Sequence, residues 1–169
     1  MLDHVRKILT GQFEAALCML NECIQKCPHD HWDGKIARYA FWHIAYHTLC
    51  FVDLYLSPNE ASFEFRDVHP HGWSEFNDEF PSRRFDRRDL TAYLAICRQK
   101  AIETLASETR ESLESASGFP WLPFSRGELH LYNIRHLQHH TGQLSASLRR
   151  VDDAFQDPTA VRWIATGWR

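Results

Sequence analysis

The stretch that most constrains this chain runs from Asp33 to Leu56, DGKIARYAFWHIAYHTLCFVDLYL. It is apolar nearly all round. A helix with that pattern has no face suited to water, so other elements must enclose it. Three further segments can do so. Between Leu2 and Cys27, the residues Val5, Leu9, Phe13, Ala16, Leu17, Leu20 and Ile24 recur at spacings of three and four, which makes one apolar helical face. Pro28 ends that segment, since its ring and missing N–H cannot continue a helix. Asp86, followed three residues on by Asp89, reads as a helix cap. Leu90, Tyr93, Leu94, Cys97, Ala101, Ile102 and Leu105 then carry an apolar stripe that is predicted to run to about Ser115. Ser125 and Glu128 form a capping-box pattern for a fourth helix reaching about Val151. Asp157 and Pro158 look like the cap and first residue of a short closing helix.

No strand-like alternation competes with these four segments. The expected fold is therefore all-α, a four-helix bundle formed as one domain over residues 1–169. Residues 57–85 form a connection too long for a simple turn. They contain HPHG at 69–72, Trp73, Phe76, Phe80 and Pro81. This aromatic content predicts a segment packed onto the body, and its length allows a crossover between the second and third helices. Trp42, Trp73, Trp121, Trp163 and Trp168 are expected in the core or in the wall of a cavity.

The totals exclude several classes of function. Net charge is −3, and no basic face suggests a nucleic-acid partner. No apolar run approaches the roughly 20 residues of a membrane span. The N-terminus is charged and amphipathic, unlike a secretory leader, so the expected location is the cytoplasm. Cys18, Cys23, Cys27, Cys50 and Cys97 contain no CxxC pair and read as small buried hydrophobes. Arg83, Arg84, Arg87 and Arg88, interleaved with acids, read as a solvated start to the third helix. The chain holds no G-x-S-x-G elbow, phosphate loop or dinucleotide fingerprint.

Eleven histidines remain to be explained. In RHLQHHTGQL, His136 and His140 are spaced i, i+4, on one helix face about 6 Å apart along the axis. The inward stripe of the last helix reads Leu129, Tyr132, His136, His140, Leu144 and Ser147, which would bury both imidazoles. Imidazoles buried without partners would be costly. FWHIAYHTLCF repeats the spacing with His43 and His47. Two such pairs on two core helices can converge on a divalent metal ion. A set of neutral imidazoles without cysteine leaves coordination positions open for water or substrate, and it suits zinc or nickel. Gln143 reads either as a group that orients a ligand histidine and Gly142 as one that permits close approach of another helix, or both as packing or surface residues.

HLQHHTGQLSASLRR resembles the closing motif of the DinB-like family, H-x-x-x-H-x-G-Q followed by apolar residues and an Arg. FWHIAYHTLCFVDLYL resembles that family's second-helix motif, a histidine before an aromatic-rich run. The resemblance implies a four-helix bundle of up-down-down-up connectivity with a long crossover between helices 2 and 3. It implies a divalent metal on three histidines, His136 and His140 from the last helix and one from the second. His47 is the preferred third ligand, with Tyr55 eight residues on. His43, with Phe51 at the same offset, is the reserve. Family members with an assigned activity resemble S-transferases that use glutathione, mycothiol or bacillithiol; others are classed as metal-dependent hydrolases, and many are homodimers. The implied partners are a small-molecule thiol or electrophile. Arg83, Arg84, Arg126 and Arg135 are candidates for holding a thiol's carboxylates, and His69 and His71 for lining the mouth. The alternative from a different class is a non-catalytic binding or stress-response module whose histidines form a hydrogen-bonded cluster.

Overall fold

A computed structural model describes residues 1–69, 71–76, 83–151 and 161–169, with the side chain of residue 75 excepted. The expected closing helix at Asp157–Pro158, and Phe80 and Pro81 of the long connection, lie outside the described residues.

The described chain is mostly helical. Its elements are α1 (Leu2–Lys26), β1 (Lys35–Ile36), β2 (Tyr39–Ala40), α2 (Phe41–Leu56), α3 (Arg87–Ser107), α4 (Arg110–Glu114) and α5 (Arg126–Val151), with single 3-10 turns at His29–His31, Glu60–Ser62 and Gly72–Phe76. The four long helices pack in a ring of contacts: α1 against α3 and α5, and α2 against α5 and α3. The predicted stripe of α1 is buried from Leu9 onward, whereas Val5 remains exposed. Cys27 closes α1 in an extended conformation, as expected for a residue before proline. All five cysteines are free thiols and buried.

Two boundaries differ from the sequence reading. The second helix begins at Phe41, not near Asp33, because residues 33–40 turn back as a small hairpin. Its register pairs Lys35 with Ala40 and Ile36 with Tyr39. Gly34 packs so closely on His31 that an added Cβ would lie 2.6 Å from His31 Nδ1. Asp33 is held by Arg84 through two bonds of 2.7 and 2.8 Å, and it accepts a third from the Trp42 indole at 3.1 Å. These tertiary contacts fix a turn where the apolar run alone suggested helix. The third helix ends at Ser107, well short of Ser115. Glu108 leaves the helical conformation (φ −58°, ψ 134°) and turns into the protein, and Thr109 caps the short α4 by a reciprocal bond with Ser112.

Two of the predicted N-caps, those at Asp86 and Ser125, are present. Asp86 and Asp89 form a capping box on α3. At α5 the Glu128 amide donates to Ser125 Oγ, and the Ser125 amide donates back to the Glu128 carboxylate. In the described part of the connection after α2, several aromatics pack on the body as expected. Phe63 and His69 are buried, Phe76 meets Phe51 edge-on, Tyr46 OH donates to Val68 O at 2.6 Å, and Phe85 stacks on Tyr46 at 4.3 Å. The tryptophans expected inside divide: Trp42 and Trp168 are half-buried and pack on the core, while Trp73, Trp121 and Trp163 are exposed.

The hairpin carries a local strain. Ala37 sits at φ +57°, the left-handed region that a Cβ disfavours. Glycine there would relieve the clash but would lose more entropy on folding. Ala37→Gly is therefore expected to stabilise the protein by a net ~0.5–1 kcal/mol, read from urea denaturation midpoints. A loss of stability would show that the turn bears no strain at this residue.

Candidate metal centre

α2 is the most enclosed helix, and α5 lies along it. His47 projects from the middle of α2, and His136 and His140 from successive turns of α5. One ring nitrogen from each falls within 4.8 Å of the others. Ring centroids are 5.5 Å apart for His47–His136, 5.0 Å for His47–His140 and 4.6 Å for His136–His140. The two α5 imidazoles approach Nε2 to Nε2 at 3.1 Å. Phe51, one turn beyond His47, flanks both His47 and His136.

The stripe that buries α5 differs from the one read off the sequence. It runs Leu129, His130, Asn133, Leu137, Thr141, Leu144 and Leu148. His136 and His140 lie on its α2-facing border and are half-buried, and His140 also borders a cavity.

The donor set fits a divalent ion. A histidine ligand must be neutral. Burial, reinforced by His140, His47 and His139, lowers the His136 pKa to about 3. His136 Nδ1 is buried without a hydrogen-bond partner, so its charged form has nothing to support it. Gln143 Oε1 lies 2.9 Å from His140 Nδ1, and Gln143 Nε2 lies 3.2 Å from His139 Nε2. An amide oxygen accepts, so the proton of His140 belongs on Nδ1. That leaves the Nε2 lone pair aimed at the triad, the arrangement usual when a second group orients a metal-binding imidazole. The role read for Gln143 thus has its geometry. The one read for Gly142 does not, since a Cβ built there meets nothing within 4 Å.

Above the triad is a cavity of about 420 Å³, lined by Ile36, Ala37, Tyr39, His43, Ile44, His47, His140 and Gln143. His43 stands one turn from the triad, edge-on to Tyr39 and stacked on Trp42. The other proposed lining residues lie elsewhere. Arg83 pairs with Asp89, Arg84 with Asp33 and Arg126 with Glu108, while Arg135 lies over the Tyr132 ring. His69 is buried against Tyr93, with its Nε2 2.9 Å from the Tyr93 hydroxyl.

Sequence reasoning missed the hairpin wall and two buried polar clusters. One joins Glu108, Arg126 and His130. The other joins Asp53, Lys100, Arg66 and Tyr93. Asp53 had a signal, as the single acid in an otherwise apolar stretch of α2. The hairpin wall had little, because two-residue strands leave almost no periodicity.

Residues 28–144 match the family model described as the DinB superfamily, a span that includes all three triad histidines. No curated protein and no solved structure matches the chain significantly. Among the described residues, no helix is long and apolar enough to cross a membrane.

Proposed function

The chain belongs to the DinB superfamily, and on that premise we propose that it is a metal-dependent enzyme built on an up-down-down-up helical bundle, with His47, His136 and His140 holding zinc or nickel at the floor of the cavity. The observation that carries this reading is the convergence of three imidazole nitrogens within 4.8 Å, on an open cavity, without a cysteine. Bound there, such an ion would lower the pKa of a water or thiol and so supply hydrolase or S-transferase chemistry at neutral pH. The protein's own part is to prepare the donors. Burial keeps His136 neutral, Gln143 fixes the proton of His140 on Nδ1, and Phe51 walls off one side of His47 and His136. His47 is preferred to His43 because its ring sits against both α5 imidazoles. The ring order of the helices, with α1 beside α3 and α2 beside α5, supports the proposed connectivity.

The test is elemental analysis of untagged protein, wild type beside His136→Ala, with melting temperatures measured with and without added zinc or nickel. About one ion per wild-type chain is expected, none in the variant, and a metal-dependent rise in melting temperature in the wild type only. A folded wild type that takes up no metal under any loading condition would remove the enzyme reading. The imidazoles would then be a hydrogen-bonded cluster, as the 3.1 Å His136–His140 contact allows, in a non-catalytic binding or stress-response module.

A further inference from the structure

The cavity above the triad has a chemical character that narrows its ligand. Its wall consists of the aliphatic Ile36, Ala37 and Ile44, the Tyr39 ring, imidazoles and one amide. Among the described residues, no lysine, arginine, aspartate or glutamate lines it. Arg83, Arg84, Arg126 and Arg135, the candidates for meeting a ligand's carboxylates, are engaged elsewhere, and Arg38, beside the wall, has its guanidinium over the Tyr39 ring at 4.9 Å. A ligand carboxylate entering this wall would lose water and would have to draw Arg38 off the Tyr39 ring to gain a cationic partner, a cost that an uncharged group does not bear. The wall is also held in place. Its turn keeps Ala37 at φ +57°, a conformation maintained only where surrounding contacts impose it, and such strain clusters at binding sites.

We propose that this cavity selects a small uncharged molecule with a flat apolar or aromatic body, which Ile36, Tyr39 and Ile44 grip while its reacting end reaches the triad. The proposal rests on the metal-site reading for the position of the reacting end only. It sets this chain apart from enzymes whose co-substrate is a thiol carrying several carboxylates. A volume of about 420 Å³ accommodates one such molecule. Tyr39 and Ile36, paired across the hairpin register, form the face that determines specificity.

Two probes separate this inference from the metal assignment. Benzohydroxamate and 4-carboxybenzohydroxamate share a metal-chelating head and differ by one carboxylate at the far end of the ring. Isothermal titration of metal-containing wild-type protein is expected to show benzohydroxamate binding at least tenfold tighter. Ile36→Lys, which leaves all three triad histidines intact, is expected to reverse or abolish that preference with unchanged metal content. Equal affinities, tighter binding of the carboxylated probe, or no binding of either to metal-containing protein would overturn the proposal. If the purified protein proves to hold no metal, the metal reading fails separately. The wall is then read with benzamide against benzoate by ligand-detected NMR at pH 8. There the neutral probe must bind more tightly in the wild type and lose that advantage in Ile36→Lys, and a preference for benzoate would again overturn the proposal.

Discussion

Arg126→Ala is expected to destabilise the protein by about 3–5 kcal/mol, the range for breaking a buried ion pair from one side. Arg126 opens α5 and is only 6% exposed. Its Nε donates to Glu108 Oε1 at 2.9 Å. Its two terminal nitrogens donate to Ser57 O at 2.6 Å and Leu56 O at 3.1 Å, the carbonyls that α2 leaves unpaired at its C-terminus. One side chain therefore neutralises a buried carboxylate and caps the central helix. Burial alone would raise the Glu108 pKa. Hydrogen bonds from His130, Ser112 and Arg126 more than reverse that and hold it at about 2. Without the guanidinium, Glu108 stays buried with a hydroxyl and an imidazole, and the Leu56 and Ser57 carbonyls lose this donor. Arg126→Lys keeps the charge but not the planar fork, so it should recover less than half of the loss. Urea denaturation of the three proteins measures both effects. A cost below about 1 kcal/mol for the alanine variant would mean that water replaces the guanidinium.

Asp53→Ala is expected to cost a similar ~3–5 kcal/mol and, in addition, to loosen the connection between α2 and α3. Asp53 is fully buried in α2. Lys100 Nζ reaches its Oδ1 at 2.5 Å, while Arg66 Nε and Tyr93 OH reach Oδ2 at 3.3 and 3.1 Å. The Arg66 amide donates to His69 Nδ1 at 3.3 Å, which places the His69 proton on Nε2. That N–H can then donate to the Tyr93 oxygen at 2.9 Å, and the Tyr93 hydroxyl donates to Asp53. The chain of donors runs from the connection through α3 to one carboxylate in α2. Its removal leaves Lys100 with only the Ser57 hydroxyl and the residue-53 carbonyl, takes the carboxylate from Arg66, and leaves the Tyr93 hydroxyl without its acceptor. Asp53→Asn retains the shape and one acceptor, so it should cost less. Limited proteolysis should cut within residues 57–85 faster in Asp53→Ala than in the wild type at equal folded fraction. Unchanged cleavage there would separate the carboxylate from the anchoring of the connection.

The helical segments were legible because periodicity and caps are local properties. The stripe of α1, the Asp86 and Ser125 caps, and the packing of an aromatic connection follow from residue spacing and burial cost alone. So does the pairing of His136 with His140, since i, i+4 residues on a helix are always neighbours. Where α2 begins was not legible, because Asp33, which also accepts from Trp42, is held by Arg84 from 51 residues away. The end of α3 was obscured for the same reason: Glu108 turns inward toward Arg126 and His130, 18 and 22 residues away in sequence.

The sequence by itself determined that this chain is helical, that its second helix is enclosed, and that imidazoles recur on two of its helices, because each of these depends only on neighbours a turn or two away. Only the tertiary structure decided that His47, and not His43, meets the α5 pair, that the hairpin turns Ile36, Ala37 and Tyr39 to the wall above them, and that Arg83, Arg84 and Arg126 serve other partners. Those outcomes depend on the rotation of α2 against α5 and on where a distant carboxylate or carbonyl lies. Spacing along the chain carries no information about either.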